Sequence, residues 1–336
     1  MGSECARVQH LRTLARWGML AGIFLAASYI CQVAFGGVTQ LANGMPLGID
    51  LLLFDPLDWF SMKMMVPICA IIVALEFLLV GWRESSFRRL FYAPDPSARA
   101  DWAFLLLLVT GLYGALIALS GFALFHYTES VVFGWKGLTL FETWPLWAVV
   151  AALYLWRSFF SYWLHRLEHT RWLWPLHKTH HAAREFTTLN FLRSHPLELA
   201  WQTFVNAIFL SAFGFTAESI ALFQVIVNTH QFINHSNAYG LAPLEKLGIV
   251  TPAGHRVHHG IEERFYNCNF GTELNVWDRL FGTYRPPPKD PRQIMLGVDE
   301  KRVAYNIDNI AQALWQQALD WLATIHTECA RRLRNS

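Results

Sequence analysis

The sequence predicts an all-α membrane protein: a multi-pass helical bundle of four spans plus a helical hairpin, carrying a cytosolic histidine-rich helical lobe. Three observations carry that expectation. Hydrophobic residues make up 54% of the 336-residue chain and charged ones only 15%, a balance that suits a bilayer better than water. Four apolar runs each approach the ~20 residues that cross a hydrocarbon core. Eleven of the fourteen histidines crowd into residues 165–259, at spacings that a helix turns toward one face.

Taken in order, residues 1–16 carry Arg7, Arg12 and Arg16 and lead into the apolar run Trp17 to Val38. The pattern resembles a secretory leader. The run is longer than a leader core, however, and no small-x-small site closes it, so an uncleaved first span is expected. The second span is expected from Met64 to Trp82, the third from Trp102 to Phe125 and the fourth from Trp144 to Leu164, with tryptophans at several ends as interfacial anchors. Arg7, Arg12 and Arg16 precede the first span, and Arg83, Arg88, Arg89 and Arg99 lie between the second and third. The opposite loops hold Asp50, Asp55, Asp58, Glu129 and Glu142 against Lys63 and Lys136. The positive-inside rule therefore puts the N-terminus in the cytosol, and four crossings return the chain to that side at His165.

Pro196 to His235 is a weaker apolar stretch broken at Gly214-Phe215-Thr216. It is expected as a hairpin dipping into the bilayer, or as two complete spans; both keep His195 and His235 on one side. Gly240 to Pro252 connects, and the turn-rich Tyr284 to Arg292 closes a water-compatible stretch. Val303 to Arg334 has the spacing of an amphipathic helix that covers the lobe or lies on the membrane. The chain thus divides into an N-terminal transmembrane region (1–143), a histidine-rich catalytic domain (144–285) and an amphipathic tail (286–336). Glu76 and Arg157 fall inside spans, where each costs about 2.5–3.5 kcal/mol at mid-bilayer. Both are expected to snorkel, or to meet a lipid headgroup or each other. A net charge of +2 says almost nothing about partners, and no basic block points to nucleic acid, so none is expected. Five scattered cysteines with no CxxC pair exclude a disulfide framework and a thiolate metal site.

The histidines read His165-x-x-x-His169, His177-x-x-His180-His181, His195-Pro196, His230-x-x-x-x-His235 and His255-x-x-His258-His259. A lone histidine is ordinarily a core or surface residue, whereas a repeated HxxHH at this density is a metal site. Eight to ten imidazoles exceed the six positions of one octahedral ion, so two ions sharing the set is the natural count. Nitrogen donors without thiolate fit iron and zinc alike. Ligating imidazoles need acceptors to orient them, and Glu168, Glu198, Asn234, Asn267, Asn269 and Asp278 are the polar candidates nearby.

These motifs, together with His235-Ser236-Asn237, Arg193-Ser-His195-Pro-Leu-Glu198, Asn267-x-Asn269-Phe-Gly, Trp277-Asp278 and Phe281-Gly-Thr-Tyr284, resemble the fatty acid hydroxylase superfamily. That group includes sterol desaturases, sterol C4-methyl oxidases and alkylglycerol monooxygenase. The resemblance runs from about Tyr162 to Tyr284. It implies a membrane oxygenase with two iron ions, acting on a lipid with O2 and an external electron donor. Carried over residue by residue, it implies His165, His169, His177, His180, His181, His255, His258 and His259 as metal ligands. His230 and His235 join them at an i,i+5 spacing instead of i,i+4. His195, Glu198, Asn234, Asn269 and Asp278 are expected to order the site. Members often carry an acid seven residues before the first histidine; here that position is Ser158. Hydroxylation and desaturation share the same oxidant and both stay open, as does a multi-pass haem or metal carrier. No His-Pro-Gly-Gly haem motif occurs, so electrons are expected from a separate cytochrome b5, a ferredoxin or a reduced pterin.

Overall fold

The computed structural model describes residues 69–109, 141, 143–212, 215, 217–298 and 310–335. The expected first span lies outside these residues, the second enters them only at 69 and the third leaves them at 109. The described chain is helical: α1 (69–80), α2 (Pro96–Val109), α3 (Leu146–Glu168), α4 (Trp174–His181), α5 (Pro196–Ala212), α6 (Ala217–Asn234), α7 (Pro252–His258), α8 (Val276–Leu280) and α9 (Ile310–Asn335). Among the described residues, extended pairing is confined to two isolated bridges, Ile249–Leu274 and Gly260–Leu296.

No described helix is long and apolar enough to cross a membrane. The expected fourth span shows why. At 23 residues α3 is about 34 Å long, which matches a hydrocarbon core. Arg157, Ser158, Ser161, Tyr162 and His165 break its apolar character on one side. Its N-terminal half keeps it, with Trp147 75% and Leu155 56% exposed. The two arms expected of the hairpin are α5 and α6, of 17 and 18 residues.

Three small apolar clusters surround the middle of the molecule without filling it. Val149 and Leu153 of α3 pack on Phe223 and Val227 of α6. Leu90 and Ala98 pack on Leu189, and Phe186, Val257, Phe265, Cys268, Ile294 and Leu296 form the third. The space between them is occupied by buried imidazoles, carboxylates and amides. Buried polar groups are retained only where partners satisfy them, and the long-range hydrogen bonds here supply those partners.

Glu76 neither snorkels nor meets Arg157. It is 2% exposed, and its carboxylate accepts from the Ser86 and Asn237 backbone N–H groups at 2.7 and 2.6 Å. It therefore ties α1 to the turn that follows His235. The tail contains α9, whose inner face packs on α4. Its outer face leaves Trp315, Leu319 and Leu322 exposed.

Candidate metal centre

Four helices end at one place. His165 and His169 occupy the last turn and C-cap of α3, His177, His180 and His181 the C-terminal half of α4, and His255, His258 and His259 the last turn and C-cap of α7. His235 follows the last residue of α6. Each helix C-terminus carries roughly −0.5 of an elementary charge. Four of them aimed at one volume make a field that favours cations before any side chain is counted.

The imidazoles fall into two groups, each with ring nitrogens within 4.8 Å of one another: His165, His169, His177, His181 and His258, and separately His180, His235, His255 and His259. Helical spacing explains the division. Residues at i and i+4 lie 40° apart around a helix and those at i and i+3 lie 60° apart on the other side. Each i,i+4 pair (165/169, 177/181, 255/259) stays within one group. The i+3 member of each HxxHH, His180 or His258, turns to the other group. The two groups meet where His181 stacks on His259, ring centroids 4.2 Å apart.

Hydrogen bonds fix which nitrogen is bare. His180 Nδ1 faces the Arg193 carbonyl at 3.2 Å and His235 Nδ1 the Gln231 carbonyl at 2.8 Å. A carbonyl only accepts, so both protons sit on Nδ1. Both Nε2 lone pairs then face each other at 3.3 Å, a repulsive contact unless a cation lies between them. In the larger group, His165 and His258 commit Nδ1 to the Phe270 and Cys268 carbonyls, both at 2.8 Å. His177 commits Nδ1 to Glu198 at 2.6 Å. The donor set is thus imidazole Nε2 throughout, which fits a borderline divalent ion such as iron or zinc.

Burial keeps the rings in the neutral form that binds metal. His165, His169, His180, His181, His255 and His259 are held well below the ordinary imidazole range, by burial first and by the neighbouring rings second. His258 is pushed down to about 3, mainly by burial. His177 differs: burial opposes its charge, but Glu198 and Glu168 together raise it. Glu168 is itself pushed up to about 7, first by burial.

Of the ten histidines expected as ligands, nine are brought together and His230 is not. Its Nδ1 accepts from the Tyr154 hydroxyl at 3.0 Å and its Nε2 donates to the Val250 carbonyl at 2.9 Å. An i,i+5 spacing is 140° around a helix, so His230 points away when His235 points in. His195 lies outside both groups as well. Its Nε2 donates to the Leu314 carbonyl at 3.0 Å, and its Nδ1 accepts from the Leu197 N–H.

Residues 150–283 match the family model described as fatty acid hydroxylase. These residues belong to the fatty acid hydroxylase superfamily. An alkylglycerol monooxygenase of Xenopus tropicalis is 29% identical over 168 residues, which cover 47% of this chain and 35% of that protein. An ornithine lipid hydroxylase of Rhizobium tropici is 28% identical over 174 residues, 51% of this chain and 52% of that protein. A Delta(7)-sterol 5(6)-desaturase of Leptosphaeria maculans is 30% identical over 143 residues, 42% and 38%. The chain thus spans about a third to a half of the length of these relatives. No solved structure matches.

Within the matched segment, the other expected residues hold the frame. Asp278 accepts from the Phe270 and Gly271 N–H groups at 2.7 and 2.8 Å and so fixes the carbonyl that orients His165. Asn269 sits at φ 52°. Its side chain bonds the Gly254 and Arg285 carbonyls and the Arg285 N–H, tying α7 to the loop beyond. Asn234 donates to the Thr272 carbonyl at 2.7 Å. Asn267, at φ 55°, shapes the same loop.

Other residues of the frame are given no role by the motifs. Arg193, 1% exposed, donates to Asp101 of α2 and to the Ser97 carbonyl. That pair fixes the carbonyl which holds His180. Glu245 accepts from the N–H and hydroxyl of Thr251, the N-cap of α7, and from Asn275. A Cβ at Gly254 would collide with the Glu245 carboxylate, so only glycine lets α7 approach it. Asp101 and Arg193 were visible only as a charge ahead of an apolar run and a motif arginine, with nothing to pair them.

Proposed function

We propose that the protein is a membrane-bound oxygenase that hydroxylates an aliphatic position of a lipid. It would use O2, two iron ions and electrons from a separate cytochrome b5, ferredoxin or reduced-pterin donor. The observation that carries the reading is the pair of buried imidazole groups, five and four rings, with bare Nε2 atoms converging. When bound, the two ions would supply the redox chemistry by which dioxygen oxidises an unactivated C–H bond. The chain's own part is to hold those ions and orient their ligands. Glu198 keeps a proton on His177 Nδ1, and the Phe270, Cys268, Arg193 and Gln231 carbonyls do the same for four other rings. Acceptors of this kind fix a ligand's tautomer and raise its basicity.

The alkylglycerol monooxygenase and ornithine lipid hydroxylase relatives point to an ether lipid or an amino-acid-containing lipid as substrate. Exposed Trp147 and Leu155 on α3 and Leu75 and Leu79 on α1 favour a lipid-facing bundle, with the histidines at its cytosolic mouth. Desaturation is the second reading, favoured by the match to a Delta(7)-sterol 5(6)-desaturase. A haem carrier is disfavoured, because each group gathers four or five imidazoles where bis-histidine ligation would use two.

Mass spectrometry of lipids from cells with and without the gene decides among these. Hydroxylation predicts a lipid one oxygen heavier only when the gene is present, and desaturation one two hydrogens lighter. An unchanged lipid profile in cells making the iron-loaded protein would contradict both. A Soret band in the purified protein would favour the haem reading.

A further inference from the structure

We infer that α9, which lies outside the segment matched to the family, is a positioning element of the metal centre. It acts through Gln317 on helix α4, and through the Leu314 carbonyl on a chain of hydrogen bonds ending at His177. The inference rests on the metal reading above and adds to it a part that the matched segment does not contain.

Helix α4 depends on its neighbours for support. Eight residues long, it is too short to be stable by itself, yet it carries three of the nine converging imidazoles. What holds its other side therefore decides how well those rings are placed. That side meets α9. Thr179, two residues after His177 and one before His180, donates its hydroxyl to Gln317 Oε1 at 2.5 Å. Both residues are buried, at 5% and 2% exposure. The neighbouring Lys178 Nζ lies 3.5 Å from Asp320, one turn further along α9. Before α4, Arg171 pairs with Glu328 at 2.9 Å and Trp172 lies under the Arg332 guanidinium. Residues 317, 320, 328 and 332 recur at helical spacing, so one stripe of α9 grips the whole approach to the ligand helix.

The second hook is His195. Its Nε2–H donates to the Leu314 carbonyl, and its Nδ1 accepts from Leu197. Both ring nitrogens are thereby engaged and the tautomer is set. The His195 backbone N–H reaches Glu198 Oε2 at 3.4 Å, while Glu198 Oε1 takes the His177 proton at 2.6 Å. The sequence Leu314, His195, Glu198, His177 is an unbroken path from α9 to one ring of the five-imidazole group. Gln317 reaches the same helix by the other route. Two independent routes from one helix to α4, one direct through Gln317 and one through His195 and Glu198, favour a positioning role over incidental packing.

The test uses the full chain in detergent or nanodiscs, loaded with iron, and measures the rate at which a chelator removes the metal. Gln317→Leu and His195→Ala are expected to release iron about tenfold faster, within the ~10–100-fold range typical of groups that orient metal ligands. Helix content should stay unchanged. His195→Gln, which keeps an amide N–H near the Nε2 position, is expected to restore most of the wild-type rate. Thr179→Val combined with Gln317→Leu removes both partners without stranding either, and is expected to fold and still release iron faster. Iron release at the wild-type rate from Gln317→Leu, His195→Ala and the double variant would overturn the inference. Equal release from His195→Gln and His195→Ala would overturn the His195 route. A folded wild-type chain that binds no iron would overturn the metal reading instead, which keeps the two failures apart.

Discussion

The five-imidazole and four-imidazole groups are built from the same HxxHH spacing but backed by different chemistry. Behind the larger group stand two buried carboxylates, Glu198 at 2.6 Å and Glu168 at 3.6 Å from His177 Nδ1. Behind the smaller group stand only peptide carbonyls, those of Arg193 and Gln231. In that group His255 and His259 each have a buried Nδ1 with no hydrogen-bond partner. Carboxylate charge close to a ligand raises its basicity and strengthens its hold on a cation. Carbonyl backing orients a ring without adding charge. On the proposed two-ion reading, one site would be held by charge and the other by frame, so the smaller group should be the more labile.

The comparison can be broken most decisively at His235. His235→Ala leaves three imidazoles in the smaller group, and metal analysis should then find one ion against an expected two in the wild type, with product formation down by about a hundredfold or more. Next in size is Asp101→Ala. It strands a buried guanidinium behind His180, and removing one partner of such a pair costs about 3–5 kcal/mol, readable as a lowered unfolding midpoint. Glu198→Gln should weaken one ion only, by about 10–100-fold, and titration with a competing chelator would show which. His169→Ala still leaves four imidazoles in the larger group, so both ions should remain, with less than about a tenfold rise in release rate. Smallest of all, His230→Gln should leave metal content unchanged and shift stability by about 1 kcal/mol. Loss of an ion there would reinstate it as a ligand.

Much of the centre was legible in the sequence because its chemistry is local. Density and the i, i+3, i+4 rule picked out His165 to His181 and His255 to His259, and helical character followed from the same periodicity. His230 was misplaced for a physical reason: an i,i+5 spacing cannot put both rings on one face of α6, and only one can point inward. The division into groups of five and four was hidden, because it depends on how four helix ends approach one another. The frame was hidden too, since Asp101–Arg193, Glu76–Asn237 and Thr179–Gln317 are separated by 92, 161 and 138 residues. No local pattern pairs such residues. The membrane expectation stands differently. The run before residue 69 lies outside the described residues, and α3 carries too many polar groups to qualify by hydropathy.

The most direct test is the metal stoichiometry of the intact, folded chain, followed while a chelator is added. Two ions per chain, leaving in two separate phases with the faster phase abolished by His235→Ala, is the predicted result. A single ion, or two that leave together at one rate, would contradict the two unequal sites built from nine imidazoles.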